Sequence, residues 1–131
     1  MPRNTNLFTK GGSRLVPMMV ATSLAACSPG HGHVPHVPGG DFERGRAALV
    51  RHECNVCHVI PGVGGPTASV GPALDEYARR PYVAGKFPNE PETLVRWILD
   101  PPSMAPQTAM PAIAMPEGDA RDIAAYLYQA E

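Results

Sequence analysis

Two thiols and an imidazole stand within five consecutive residues, Cys54-Asn55-Val56-Cys57-His58. Thiols in C-x-x-C spacing lie about one helical turn apart, so each can add to one vinyl group on the edge of a porphyrin. The imidazole that follows, His58, can then swing beneath the ring as a fifth iron ligand, and one short segment supplies both attachment and axial coordination. The same spacing also serves thioredoxin-like redox sites, zinc sites and plain disulfides. A thioredoxin-type site sits in an alternating strand and helix pattern, and structural zinc takes four ligands, usually with a second pair at matching spacing. Neither companion pattern is present, which favours haem attachment.

The chain has 131 residues, enough for one domain with appendages. Residues Met1 to Arg14 carry Arg3, Lys10 and Arg14 with no acidic residue, and a short apolar run follows from Leu15 to Ala26. This is the layout of a secretory signal. The run is too short for the roughly 20 residues a bilayer needs, and Pro17 interrupts it. Its end, Leu24-Ala25-Ala26-Cys27, resembles the lipobox of bacterial lipoproteins, which implies a cleaved signal peptide over 1–26 and a lipid anchor on Cys27. An ordinary signal peptide with a chance cysteine is the alternative. After residue 26 eight basic residues face twelve acidic ones, a formal net charge of −4, which argues against nucleic acid as a partner.

The elements that must position the motif come from the rest of the chain. Residues 27–40 read as a tether, because SPGHGHVPHVPGG after Cys27 has no periodic apolar face. Its His31, His33 and His36 could bind a soft metal or serve only as spacer. The folded domain is expected over 41–131. Asp41 is a good N-cap, and Phe42, Gly45 and Leu49 share one face of a first helix leading to the motif. Gly45 suggests close approach by another helix. Val59 to Gly71 is a Gly- and Pro-rich loop, and Pro72 opens a short helix to about Arg79. Pro81 to Pro88 is irregular, Asn89 with Glu92 forms a capping box, and Leu94, Trp97 and Ile98 line a helix ended by Asp100-Pro101-Pro102. Ser103 to Pro116 is an extended loop with three methionines. A last helix from about Gly118 to Gln129 buries Ile123, Tyr126, Leu127 and Ala130 on one side, with Asp119 and Asp122 at its positive end.

This order resembles the class I c-type cytochromes, including mitochondrial cytochrome c, from about Asp41 to Ala130. The resemblance rests on the haem motif, on Gly71-Pro72-Ala73-Leu74, on Glu92 to Pro101 running into Pro106-Gln107-Thr108-Ala109-Met110-Pro111, and on Asp122-Ile123-Ala124-Ala125-Tyr126-Leu127. It implies an all-α fold, with three to four helices around one haem c attached through Cys54 and Cys57. It also implies His58 and Met110 as axial ligands and the Pro72 carbonyl as acceptor from the His58 imidazole. Met115, which also precedes a proline, is the rival to Met110, and Met104 lies in the same loop. Arg79 or Arg80 would sit near a haem propionate, and Trp97 would lie over the haem crevice, although packing explains it equally well. The stretch Pro111 to Gly118 is slightly compressed relative to mitochondrial cytochrome c.

Together these readings lead to the expectation of a non-enzymatic, single-haem electron carrier. It would be exported and lipid-anchored on the periplasmic or extracytoplasmic side. Redox proteins such as a dehydrogenase or a terminal oxidase would be its partners, and no small-molecule substrate is expected. With both axial positions filled, oxygen and peroxide have no easy access to iron. A haem peroxidase or gas sensor with an open or labile sixth position is the alternative. A domain of about 90 residues has a small core, so the haem-free chain should fold poorly.

Overall fold

The carboxylate of Asp41 accepts a 2.8 Å hydrogen bond from the Arg44 amide and so starts α1, Phe42–Arg51. These positions belong to a computed structural model that describes residue 1 and residues 34–65 and 70–131. The expected signal peptide, Cys27, His31 and His33 lie outside the described residues. The folded part begins before the expected boundary at Asp41, since Val37 is buried in the core.

After α1 come a 3-10 turn at Cys54–Val56 and another at Tyr77–Arg79. The segment expected to be irregular then contains a small antiparallel hairpin, β1 (Tyr82–Val83) with β2 (Phe87–Pro88), in which Val83 faces Phe87. Three helices follow: α2 (Pro91–Leu99), α3 (Pro101–Met104) and α4 (Glu117–Gln129). The mostly helical expectation therefore holds, with three corrections in detail.

No helix begins at Pro72; residues 72–74 are irregular, 75–76 form a turn, and a 3-10 turn covers Tyr77–Arg79. The capping box of Asn89 and Glu92 does not form, because Pro91 occupies the first turn of α2 and the cap position falls on Glu90. Asn89 instead donates to the Tyr77 and Arg80 carbonyls at 2.9 and 2.8 Å, and accepts from the Tyr128 hydroxyl at 2.9 Å. Asp100 ends α2 but also caps α3, accepting from the Ser103 amide, so the methionine loop starts with a helical turn.

The core is organised on α4. Every residue from Asp122 to Tyr128 is buried, not one face alone. A helix buried on all sides needs cover on all sides, and α1, α2 and the Tyr77–Arg79 turn supply it. The closest approach is between α1 and α4 at Gly45, where a Cβ would collide with the Asp122 carbonyl and lie 2.8 Å from the Tyr126 Cβ. Phe42 stacks on the Tyr126 ring, with centroids 4.6 Å apart. Asp122 is buried there as a paired charge: Arg44 donates to it twice at 2.8 Å, and the Asp41 amide donates at 2.8 Å. That bidentate geometry offsets the cost of burying the carboxylate. No helix of the described residues is long and apolar enough to cross a membrane.

Candidate functional site

The C-terminal end of α1 delivers the motif. His52 closes the helix and Glu53 takes a left-handed conformation at φ 56°, which turns the chain into the 3-10 segment. The amides of Cys57 and His58 then both donate to the Cys54 carbonyl, at 3.3 and 3.0 Å. This tight turn holds two half-buried thiols one turn apart. Burial pushes the Cys54 thiol up to about 11, so it is held as the neutral thiol at neutral pH.

His58 Nδ1 lies 2.7 Å from the Pro72 carbonyl oxygen. A carbonyl only accepts, so Nδ1 carries a proton, and in the neutral ring that tautomer leaves the lone pair on Nε2. The irregular backbone at Pro72 has a physical consequence: in a helix its carbonyl would bond to the amide four residues on, whereas in the irregular segment it is available to the imidazole. Two backbone bonds fix that segment against the motif, from the Gly71 amide to the Cys57 carbonyl and from the Leu74 amide to the Val59 carbonyl, both 2.8 Å. Gly71 lies flat on the His58 ring, where a Cβ would overlap the imidazole. Paired thiols on one turn and an oriented imidazole with Nε2 unclaimed make a donor set that suits a covalently attached haem.

Arg80 belongs to this assembly. It donates to the Ala73 and Asp75 carbonyls at 2.6 and 2.8 Å, and its guanidinium lies 5.3 Å from the Tyr77 ring centroid. Arg79 instead forms an exposed 2.6 Å pair with Glu76. Met110 and Trp97 come from a separate stretch of chain, and no hydrogen bond ties either to the motif. Met110 is half-buried, with its amide donating to the Thr108 hydroxyl at 3.2 Å. Met115 packs against the buried core, and Met110 is not part of that packing. Trp97 is half-buried on the core, its ring 6.1 Å from Phe87. His52, which could compete for iron, lies 2.7 Å from the Asp119 carboxylate on α4. His36 is exposed, and the described residues hold no cluster of three or more potential metal ligands among His, Cys, Asp and Glu.

Sequence reasoning missed the side chains that tie down the loop after the motif. Tyr126, expected only as core, donates its hydroxyl to the Pro61 carbonyl at 2.5 Å. Arg46 donates to the Gly62 carbonyl at 3.0 Å, and Asn55 to the Gly64 carbonyl at 2.6 Å. Such bonds to loop carbonyls leave no periodic trace in a sequence.

The family model for cytochrome c matches residues 42–131. Over 85 residues the chain is 35% identical to cytochrome c oxidase subunit 2 of Alkalihalophilus pseudofirmus, an alignment covering 64% of this chain and 24% of that protein. The chain thus spans about a quarter of that relative's length. Among solved structures, cytochrome c2 from Rhodobacter sphaeroides superposes with a TM-score of 0.55 at 25% identity, over 70% of this chain and 96% of that one.

Proposed function

This chain belongs to the cytochrome c family, an electron-transfer haem protein with one covalently bound haem c, and from that we propose a lipid-anchored carrier serving a respiratory chain outside the cytoplasm. Family members are electron carriers, not enzymes. When bound, haem c supplies a one-electron couple between ferric and ferrous iron. Cys54 and Cys57 hold it covalently. His58 would bind its iron through Nε2, with Pro72 orienting the imidazole and increasing its basicity through the Nδ1 hydrogen bond. Met110 would supply the second protein ligand to iron, a soft thioether that would favour the ferrous state and exclude oxygen and peroxide.

The 2.7 Å contact between His58 Nδ1 and the Pro72 carbonyl carries this reading. It holds the imidazole in the tautomer that iron ligation needs, directly beside the paired thiols. Arg80, already bonded to the loop after Pro72, is the better placed of the two arginines to meet a propionate. Trp97 on α2, packed on the core beside Phe87, would be the aromatic over the haem crevice. The oxidase subunit among the relatives favours a terminal oxidase as acceptor, with a dehydrogenase as donor class.

Absorption spectra of the full chain, oxidised and then reduced under CO, test the carrier reading. The oxidised protein should show the methionine-to-iron band at the red end, and the reduced protein should not bind CO. Loss of that band together with avid CO binding would overturn the reading in favour of an open-site haem protein. Cys27→Ser should release the protein from membranes into the exported soluble fraction. Continued membrane retention would sink the lipid anchor.

A further inference from the structure

Charge is absent from both stretches of sequence that bear the haem-binding residues. From Cys54 to Leu74, and again from Pro101 to Pro116, the chain has no Asp, Glu, Lys or Arg. The residues at the four borders, Glu53, Asp75, Asp100 and Glu117, are all acidic. Three of these are already engaged: Asp75 pairs with Arg80, Glu117 pairs with Arg121, and Asp100 caps α3. Two further arginines near the first stretch are committed as well, Arg51 to Asp119 and Arg79 to Glu76.

Burial does not account for this lack of charge. Val56, Val59 and Val70 are 46%, 50% and 74% exposed, and Ala109, Pro111 and Ala112 around Met110 are exposed as well. The Gly71 amide, bonded to the Cys57 carbonyl, brings Val70 beside the attachment turn. On α1, by contrast, the exposed positions include Glu43, Arg44 and Arg46. One exposed valine is ordinary, whereas three beside a functional motif, with no charge among them, mark a contact surface. Whatever part of these side chains a bound haem covers, the surface left at its edge has no ionised side chain from either stretch.

The inference drawn from this surface deepens the electron-carrier reading and rests on it. With His58 and Met110 on one iron, both stretches border one ring, and a partner must meet them to exchange an electron. We propose that the redox partner docks on Val56, Val59, Val70, Ala109, Pro111 and Ala112 through a contact surface that is itself apolar and uncharged. An ionised group on the partner would lose its water against this surface and find no opposite charge to pair with, so a charged partner is disfavoured. Apolar contact has no such cost, and the centres of protein interfaces are correspondingly depleted of charge. The net charge of −4 after residue 26 acts on encounters at long range, but it does not select what touches the ring.

A second copy of the chain presents the same uncharged face, so electron self-exchange, read by NMR in mixtures of oxidised and reduced protein, is the probe. The haem-bearing full chain is prepared with Cys27→Ser, so that no acyl chain contributes, alone and with Val56→Glu, Ala112→Glu or Val34→Glu added. Val34 is 48% exposed and lines a cavity with Ala125 and Gln129. Gln129 lies about 15 Å along α4 from Asp119, which holds His52 beside the attachment turn, so Val34 stands at the far end of that helix. All three added variants have the same net charge. A parent chain without covalent haem, or without reversible conversion between its oxidised and reduced states, would overturn the carrier reading itself. With both present, Val56→Glu and Ala112→Glu should exchange at least about threefold more slowly than Val34→Glu at about 0.1 M ionic strength, the repulsion of two unit charges about 6 Å apart in water. The deficit should shrink toward about 0.5 M, where screening is stronger. Equal rates in the three variants at both ionic strengths would overturn the proposal. So would capture of the parent chain by neutral phosphatidylcholine vesicles that Val56→Glu abolishes, since the face would then serve a lipid surface.

Discussion

The three methionines of the Ser103 to Pro116 segment have the same chemistry but different surroundings. Met115 is held by the apolar core, whereas Met110 is half-buried without joining that packing. Met104 is half-buried outside that packing as well, so the core withdraws only Met115, and the resemblance of Pro106-Gln107-Thr108-Ala109-Met110 selects Met110 of the remaining two. Met110→Ala should therefore abolish the red-end methionine band in the oxidised spectrum. Met115→Ala should keep the band and lower unfolding free energy by about 1–2 kcal/mol, the scale of truncating a partly buried side chain. A spectrum in which Met115→Ala loses the band and Met110→Ala keeps it would reassign the ligand. Cys54, Cys57 and His58 were legible because their chemistry is written in adjacent residues. Pro72 came only through resemblance, since nothing local marks one proline carbonyl as an imidazole's partner. Asn55 was not legible at all, because its partner is a backbone carbonyl nine positions away in a loop without period.

At the scale of elements, the position that decides how α1 reaches the motif is its crossing with α4 at Gly45. In an isolated helix Gly45→Ala would stabilise by about 1 kcal/mol through backbone entropy. Here the new methyl would collide with the backbone carbonyl of Asp122, which cannot rotate away as a side chain can. Overpacking of this kind costs about 1–3 kcal/mol and outweighs the propensity gain. Gly45→Ala should thus unfold at lower denaturant than wild type, and a more stable variant would show that the helices are not pressed together there. Period and caps made α1, α2 and α4 legible, and the glycine was read correctly as a point of close approach. What failed was what period does not encode. The burial of α4 on all sides depends on which elements surround it. The cap of α2 shifted by one residue because Pro91 took the first turn. The hairpin of β1 and β2 is too short for an alternating pattern to form.

At the scale of the molecule, most of the positive charge among the described residues is committed to internal contacts. Arg44, Arg51, Arg79, Arg80 and Arg121 all pair with carboxylates, and Arg46 bonds a loop carbonyl. Two of these clusters staple the first turns of α4 to the rest of the fold: Glu92 on α2 to Arg121, and Asp119 to His52 and Arg51 at the end of α1. Hydrogen bonds from His52 and then Arg51 hold the Asp119 carboxyl below its ordinary value of 3.8, and the bond from Arg121 holds Glu92 below 4.5. A carboxylate whose pKa falls on folding binds its proton more readily in the unfolded chain. Its contribution is therefore fully present above the unfolded value and disappears as pH drops through the folded one. Both groups are exposed enough for solvent and salt to weaken the effect. Stability of the haem-bound chain, followed by denaturant midpoint, should be nearly level from neutral pH down to about 5 as far as these two groups act, and should then decline through and below the 3.8 to 4.5 range. Asp119→Asn should be less stable than wild type at neutral pH, and the gap should close as pH falls well below 3.8, where the wild-type carboxyl is itself protonated. Added salt should narrow the neutral-pH gap. A gap that stays constant throughout the acid range would mean that shape at residue 119, not charge, joins the end of α1 to α4.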